Sequence, residues 1–515
     1  MCRWHRRASA TPWRMDEAFD SIGLRFAATG GALRRLRGLP ALKGHLRAPA
    51  ITRRLVSCYW DTSDLRIHGA QDALQLVRVD DGPWIERHSS RSPSGGFRTV
   101  RECSRADGRP GPDAAGLRDL EPQQLRPVFG ARVTRTIHTL RLSDGTVVRL
   151  AIDRGESWLA TAPRRREPVL EFELLLVRGR REQVYELATA IVDGVAHVRL
   201  LFGSEADRGY ESLVGAPPVV RRVRARGATA LARLVHDGVS ECLTQIGHNL
   251  EGARRGANEE ALHQLRVGVR RLRAICAIGR KAGLSPLPGS VREQIRWLWA
   301  LLGEARDWDV FVGETWPAVE RRAGPDAASE GFGEIASDLR DASRRRLRRA
   351  LTGRCVQSLM LALLRFGERQ DAESARVGGA REAAKLAGRL LARRAHKVLR
   401  SGARAARLAG DEQHALRIDV KKLRYLAELF ADLSDHAASA AYLKRLAALQ
   451  TVLGRLNDLA VAGRLVLRVE ADPRAPQSGV ASDAWRRYAA VQDSRLRRQL
   501  RKRWREFRKS PPFWD

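Results

Sequence analysis

His263-Gln264-Leu265-Arg266-Val267-Gly268-Val269-Arg270-Arg271-Leu272-Arg273 returns 151 residues later as His414-Ala415-Leu416-Arg417-Ile418-Asp419-Val420-Lys421-Lys422-Leu423-Arg424. A second pair keeps the same offset: Leu302-Gly303-Glu304-Ala305-Arg306-Asp307 and Leu453-Gly454-Arg455-Leu456-Asn457-Asp458. Two short motifs holding one offset mark an internal duplication, so this half of the chain is read as two copies of one unit.

On a helical wheel turning about 100° per residue, Arg266, Arg270 and Arg273 fall within about 80° of His263. Leu262, Leu265, Val269, Leu272 and Cys276 form the adjoining apolar stripe. The second copy repeats the arrangement, with His414, Arg417, Lys421 and Arg424 beside Leu416, Val420 and Leu423. One helix therefore buries an apolar face while a cationic row runs along its flank. If the two copies face each other, the rows line one groove that suits a linear polyanion. Each guanidinium supplies two charge-assisted bonds to phosphoryl oxygens, and successive helical turns stand about 5.4 Å apart. A charged helix flank usually just meets water; its repetition is what argues for a role here. His263 and His414 read either as phosphate contacts or as hydrogen-bonded residues that orient a neighbour. Asp307 and Asp458 are expected to hold a basic residue by an ion pair, with Arg306 and Asn457 supporting the same site.

The charge of the whole chain agrees. Lys and Arg number 93 against 59 Asp and Glu, a formal net charge of +34 over 515 residues. Both halves are basic, so both attract polyanions. Apolar content of 43% is ordinary for a globular protein. The six cysteines show no CxxC spacing and no histidine cluster, which argues against a disulfide framework or structural zinc and for a cytoplasmic setting. No segment approaches 18 uninterrupted apolar residues, so no membrane span is expected.

Residues 1–14 read as a basic tail, or as a start assigned ahead of the true one at Met15. Residues 15–213 are strand-rich, with β-type runs at Leu55–Trp60, Ala73–Val79, Arg132–Leu142, Val147–Asp153, Val169–Leu176 and His197–Phe202, and one helix near Arg181–Val192. Antiparallel strands of this number can curl into a barrel or tunnel. Residues 214–227 read as a linker, with Pro217-Pro218 followed by an Arg-rich stretch. From 228 to 510 helical periodicity takes over. Loop-like breaks at 323–333 and 471–482 fall about one repeat apart, and the region is read as repeats at about 228–375 and 376–510, two four-helix bundles packed as one domain. The fold class is thus α+β and multidomain: an antiparallel β-barrel or tunnel followed by an all-α domain of two pseudo-symmetric bundles.

Residues 228–510 resemble a CHAD domain, the conserved-histidine α-helical domain. The resemblance rests on the two His-x-x-Arg-[Val/Ile] helices, the Leu-Gly-x-x-[Arg/Asn]-Asp motifs, and Trp504-x-x-Phe507 followed by Pro512-Phe513-Trp514. It implies a basic channel that binds inorganic polyphosphate. It makes Arg266, Arg270, Arg271, Arg273, Arg417, Lys421, Lys422 and Arg424 the phosphate contacts.

The N-terminal half is similar to a CYTH domain, the triphosphate-tunnel fold. Its supports are Cys58-Tyr59-Trp60-Asp61-Thr62, Leu125–Phe129 leading to Arg132 and Arg135, Asp153, Glu171-Phe172-Glu173, and Ser204 to Tyr210. The family's first strand reads Glu-x-Glu-x-Lys and holds the catalytic metal; the matching stretch here is Ser21-Ile22-Gly23-Leu24-Arg25. Both carboxylates are gone. Gln75 and Val77 stand where the family carries a basic pair, and Glu205 where it carries lysine. A frame shifted toward Asp16, Glu17 and Asp20 does not restore the spacing. Arg25, Arg132, Arg135, Glu171 and Glu173 are left as a remnant tunnel, and no metal site is assigned. Phosphoanhydride hydrolysis in such a tunnel needs a metal to offset substrate charge, so Mg or Mn is expected only if the domain is active.

The leading expectation is a non-catalytic polyphosphate-binding protein, associated with polyphosphate granules. One alternative is a metal-dependent triphosphatase that uses its helical domain to recruit substrate. Another is a nucleic-acid binder acting through charge alone; no base-reading motif accompanies that charge.

Overall fold

The computed structural model of the chain describes residues 23–91, 97–111, 122–214, 231–255, 259–323, 331–374, 380–403, 405, 410–431, 435–475 and 479–514. The basic tail, the shifted first-strand frame at Asp16 to Asp20, and all of the 214–227 linker after Val214 lie outside these residues. The chain divides into two compact units, Met1–Ala216 and Pro217–Asp515.

The first unit is one antiparallel sheet. Its strands are β1 (Gly23–Ala28), β2 (Leu46–Asp61), β3 (Asp72–Val79), β4 (Trp84–Arg91), β5 (Phe97–Arg105), β6 (Arg126–Arg141), β7 (Val147–Leu159), β8 (Ala162–Arg178) and β9 (Val198–Leu200). They lie in the order β5-β4-β3-β2-β6-β7-β8-β1-β9. Five helices accompany them: α1 (Gly30–Leu36), α2 (Pro40–Lys43), α3 (Arg66–Gly69), α4 (Arg181–Gly194) and α5 (Glu205–Val214). Strands β4 and β5 are not among the expected β-type runs.

The sheet must curl. Neighbouring residues of α5 reach strands five places apart, Asp207 to Arg91 on β4 and Arg208 to Glu171 on β8 at 3.0 Å. A flat sheet would hold those strands about 24 Å apart, beyond the reach of two adjacent side chains. Gly155 permits the close crossing of β6 and β7 at the centre, since a Cβ there would lie 2.0 Å from the Arg132 carbonyl oxygen. Alternation along the strands buries Leu24, Phe26, Phe172, Leu174, Val148 and Leu150 on the opposite face. Helix α4 adds Val184, Leu187, Ala188 and Ile191 to the unit's interior.

The second unit is helical: α6 (Leu231–Arg255), α7 (Glu259–Lys281), α8 (Gly289–Val310), a π-helical turn at Phe311–Thr315, α9 (Trp316–Ala323), α10 (Phe332–Thr352), α11 (Arg354–Ser374), α12 (Ala380–Ser401), α13 (Gly410–Phe430), α14 (His436–Glu470) and α15 (Val480–Arg508). The two basic motifs fall on α7 and α13. The first Leu-Gly motif ends in the last turn of α8, and the second falls inside α14. The repeats are unequal, because α11 in the first has no counterpart in the second among the described residues. Nor does each repeat keep a private core. Trp308, Phe311, Trp316 and Phe332 of the first pack with Val466, Val469 and Trp485 of the second. The terminal aromatic motif folds back on α14, where Tyr442 meets Phe507, Phe513 and Trp514 at ring distances of 5.6, 5.6 and 5.0 Å. Among the described residues no helix is long and apolar enough to cross a membrane.

Candidate functional site

Helices α7 and α13 bury the stripes that the wheel requires: Leu262, Leu265, Val269 and Leu272 on one, Leu416, Val420 and Leu423 on the other. Their basic flanks meet. The Arg270 guanidinium lies 5.4 Å from the centre of the Tyr425 ring on α13, and Arg271 reaches Glu428 at 3.9 Å. The crossing gathers Arg266, Arg270, Arg417 and Lys421 into one cluster: Arg270 and Arg417 act on Arg266, Arg270 acts on Arg417, and all three arginines act on Lys421.

Among the described residues, none of these four cations has a hydrogen bond or ion pair, and the Nε atoms of Arg270 and Arg417 are buried without an acceptor. Burial, with Arg417, Arg270 and Arg266 alongside, pushes the Lys421 ammonium from 10.5 down to about 7. Burial lowers Arg266 to about 10 against the opposing pull of Asp307, and it lowers Arg417 against that of Asp458. A folded protein ordinarily pairs its withdrawn charges. This one leaves four of the same sign together.

Asp307 and Asp458 are the nearest counter-charges, but the expected ion pairs do not form: among the described residues neither carboxylate has a basic nitrogen within 4.0 Å. Burial raises both carboxyl groups, and Asp458 further raises Asp307. Asp458 keeps accessible surface while protein surrounds it, the combination that a groove wall produces. The reason for the missing pairs is geometric. Each carboxylate sits on α8 or α14, far enough back to bias the cluster without closing it.

The other candidates divide. His414 shares a hydrogen bond with Asn457 Oδ1 at 3.2 Å. His263 has Arg306 at the equivalent place instead; burial lowers its pKa and Arg306, Arg270 and Arg266 lower it further. Arg306 leans toward Glu314 at 3.9 Å. Arg424 is held by Glu428 at 2.7 Å, the same carboxylate that draws Arg271, so these two are engaged by the protein and stand apart from the unpaired four. Arg273 and Lys422 are exposed, and Arg273 lies 5.9 Å from the Trp299 ring that also carries Arg266 at 5.5 Å.

Beside the cluster a cleft of about 380 Å³ opens between α8 and α14, lined by Trp299, Gly303, Glu304, Asp307, Arg464 and Arg468. A Cβ added at Gly303, or at its repeat partner Gly454, would meet nothing within 4 Å. Packing therefore does not require glycine at either helix interior, where it costs about 1 kcal/mol relative to alanine. Trp299 and Tyr425 were missed in the sequence, although Tyr425 directly follows the second motif. Arg393, Arg394 and Lys397 of α12, which crowd Lys281 and Lys422, were also missed. Their signal was available: residues 383–410 contain no Asp or Glu.

In the first unit a second set of charges shares one face of the sheet. Arg25 meets Glu173 at 3.2 Å, Arg208 meets Glu171 at 3.0 Å, and Arg135 grips Asp153 with two bonds of 2.7 Å. Burial alone would lower Arg25 and Arg135; the carboxylates hold both above their ordinary values. Arg132 does not join them. It lies an odd number of residues from Arg135 and stands exposed on the other face. Gly23 occupies the position opposite Leu175, where a Cβ would lie 3.2 Å from Glu173 Oε1, a tight contact. Every carboxylate of this row already has a guanidinium. A divalent cation would have to displace those arginines, so the residues do not fit a metal site.

Residues 237–467 match the family model described as the CHAD domain. The chain is 27% identical to two uncharacterized proteins of Mycobacterium tuberculosis, MT2285 and Rv2226, over 305 residues covering 54% of this chain. It spans 55% of the length of these curated relatives. Among solved structures, the CHAD domain from the plant Ricinus communis is 29% identical, with a TM-score of 0.46 over 56% of this chain and 95% of that one. The Hippeastrum protein HpAC1, described as revealing a dominant triphosphatase activity, is 14% identical, with a TM-score of 0.27 over 38% of this chain and 97% of that one.

Proposed function

Because residues 237–467 form a CHAD domain, we propose that the C-terminal unit binds inorganic polyphosphate in the groove between α7 and α13, and that the protein works by binding rather than catalysis. The observation that carries this reading is the unpaired cluster of Arg266, Arg270, Arg417 and Lys421. Like charges brought together without counter-ions destabilise a fold, and an incoming polyanion removes that strain while gaining charge-assisted bonds. Two helices supply the cations from opposite sides, which suits a linear chain of phosphates better than a single phosphate.

For the first unit we propose a scaffold without triphosphatase activity. Its support is the paired row Arg25–Glu173, Arg208–Glu171 and Arg135–Asp153. A nucleic-acid binder is the rival for the second unit, since charge alone attracts DNA and RNA.

The test uses the full chain with long-chain polyphosphate at physiological salt and duplex DNA as competitor. Binding that resists DNA and collapses in Arg270→Ala/Lys421→Ala supports the proposal. Free displacement by DNA makes the cluster a general polyanion surface. Metal-dependent phosphate release from tripolyphosphate would overturn the scaffold reading.

A further inference from the structure

The two repeats differ at the helix that precedes each basic motif. In the first, α6 is enclosed. It buries Val235, Val239, Cys242, Leu243, Ile246 and Leu250, and α11 covers it closely enough that a Cβ at Gly367 would lie 3.2 Å from Leu243. Gly268 of α7 lets α6 approach on the other side, since a Cβ there would lie 2.8 Å from Ile246. In the second repeat the residue at the Gly268 position is Asp419. It is buried and bonds α12, reaching Arg394 at 3.0 Å and Lys397 at 3.2 Å.

With no counterpart of α11 among the described residues, α12 buries only one stripe, Ala387, Leu391, Ala395 and Val398. Its open side carries Lys385, Arg389, Arg393, Lys397 and Arg400, all exposed. The spacing of three or four residues sets them in one row about 22 Å long. A row left merely to water would be expected to carry acids among its bases, as α15 does with Asp493 and Glu506. This one has none between residues 383 and 410. Arg389, Arg393 and Arg400 have no hydrogen bond or ion pair among the described residues.

The row is continuous with the groove. Lys422, next to Lys421, feels Arg394, Lys397 and Arg273; Lys281, at the end of α7, feels Arg394, Arg393, Arg280 and Lys422. We propose that the open face of α12 is a second phosphate-binding track, which receives the part of a long polyphosphate chain that emerges from the α7–α13 groove. The proposal rests on the groove reading and adds that the track rewards only polymers long enough to leave the groove. A short anion fills the cluster of four and never reaches α12.

The experiment compares tripolyphosphate with long-chain polyphosphate on the full-length protein. Arg389→Gln/Arg393→Gln/Arg400→Gln alters exposed positions with a good helix former, and an unchanged melting temperature controls for folding. The track variant should hold tripolyphosphate within about twofold of wild type. It should lose about tenfold or more for the long chain, with a shallower salt dependence. Arg270→Gln/Arg417→Gln should weaken both ligands. Unchanged long-chain affinity and salt dependence in the track variant would overturn the track while leaving the groove intact. Wild-type protein that binds neither polymer would overturn the groove reading, and the track with it.

Discussion

Replacing Lys421 with methionine should make the ligand-free protein more stable and a worse binder. Its ammonium is withdrawn from water beside Arg417, Arg270 and Arg266, which takes its pKa from 10.5 to about 7. At about 1.4 kcal/mol for each tenfold change, that corresponds to about 4 kcal/mol against the folded state at pH 7. Water still reaches the half-buried side chain, so about 2 kcal/mol is the expected gain for Lys421→Met. Methionine keeps the length and apolar stem of lysine without its charge. For a unit of this size the melting temperature should rise by about 4 °C. The pH dependence has a definite sign. Between about pH 7 and 10.5 the unfolded chain holds a proton on Lys421 that the folded chain has released, so wild-type stability rises with pH across that window. The advantage of the variant is therefore largest at and below pH 7 and disappears near pH 10.5. Thermal melts of both proteins at pH 6, 8 and 10 measure it. Polyphosphate added at pH 7 should raise the wild-type melting temperature by mass action and the variant's much less. A variant that melts lower than wild type without ligand, or an advantage that stays flat with pH, would refute the idea that these cations are uncompensated.

Three further outcomes follow from the same geometry. Polyphosphate affinity should fall as pH rises from 7 toward 9, because binding draws a proton onto Lys421; titration calorimetry in buffers of different ionisation enthalpy should show proton uptake approaching one per site. Gly303→Ala/Gly454→Ala should stabilise α8 and α14 by up to about 1 kcal/mol each while weakening polyphosphate, since each methyl enters open space that packing leaves empty; equal affinity in a binding titration would show that the space serves no ligand. Asp153→Asn should cost the first unit about 3 kcal/mol by stranding Arg135, whose two 2.7 Å bonds are largely shielded from water; urea unfolding followed by tryptophan fluorescence reads the loss.

The basic helices were legible because two periodicities coexist in eleven residues, one apolar and one cationic, and because both return at one offset. What the sequence did not disclose is which cations the protein neutralises itself. Arg271 and Arg424 stand in the same motif as Arg270 and Lys421, yet a single carboxylate, Glu428, draws the first pair and leaves the second free. That outcome depends on how α7 crosses α13, which no local pattern encodes. Strands β4 and β5 escaped for a related reason. Glu86, Arg87 and His88 lack the apolar alternation of a strand, but Arg105, Glu102 and Asp72 pair with them one by one, so a polar segment is buried one strand in from the sheet's edge.

The duplication misled in an instructive way, since equal motifs suggested equal bundles. A pair of copied units has two helices, α6 and α12, that could close the outside of the groove, and only one of them does. Where the motif carries Gly268, a neighbouring helix packs in and α11 covers it; where it carries Asp419, the neighbour is tied in by ion pairs and its outer face stays open. A difference at one motif position thus accompanies a covered helix in one copy and an open one in the other. The closed side supplies the apolar mass that holds four like charges together, and the open side gives a long anion somewhere to go. Arg389, Arg393 and Arg400, not only the paired histidine motifs, are therefore where the length of the bound polymer should be felt.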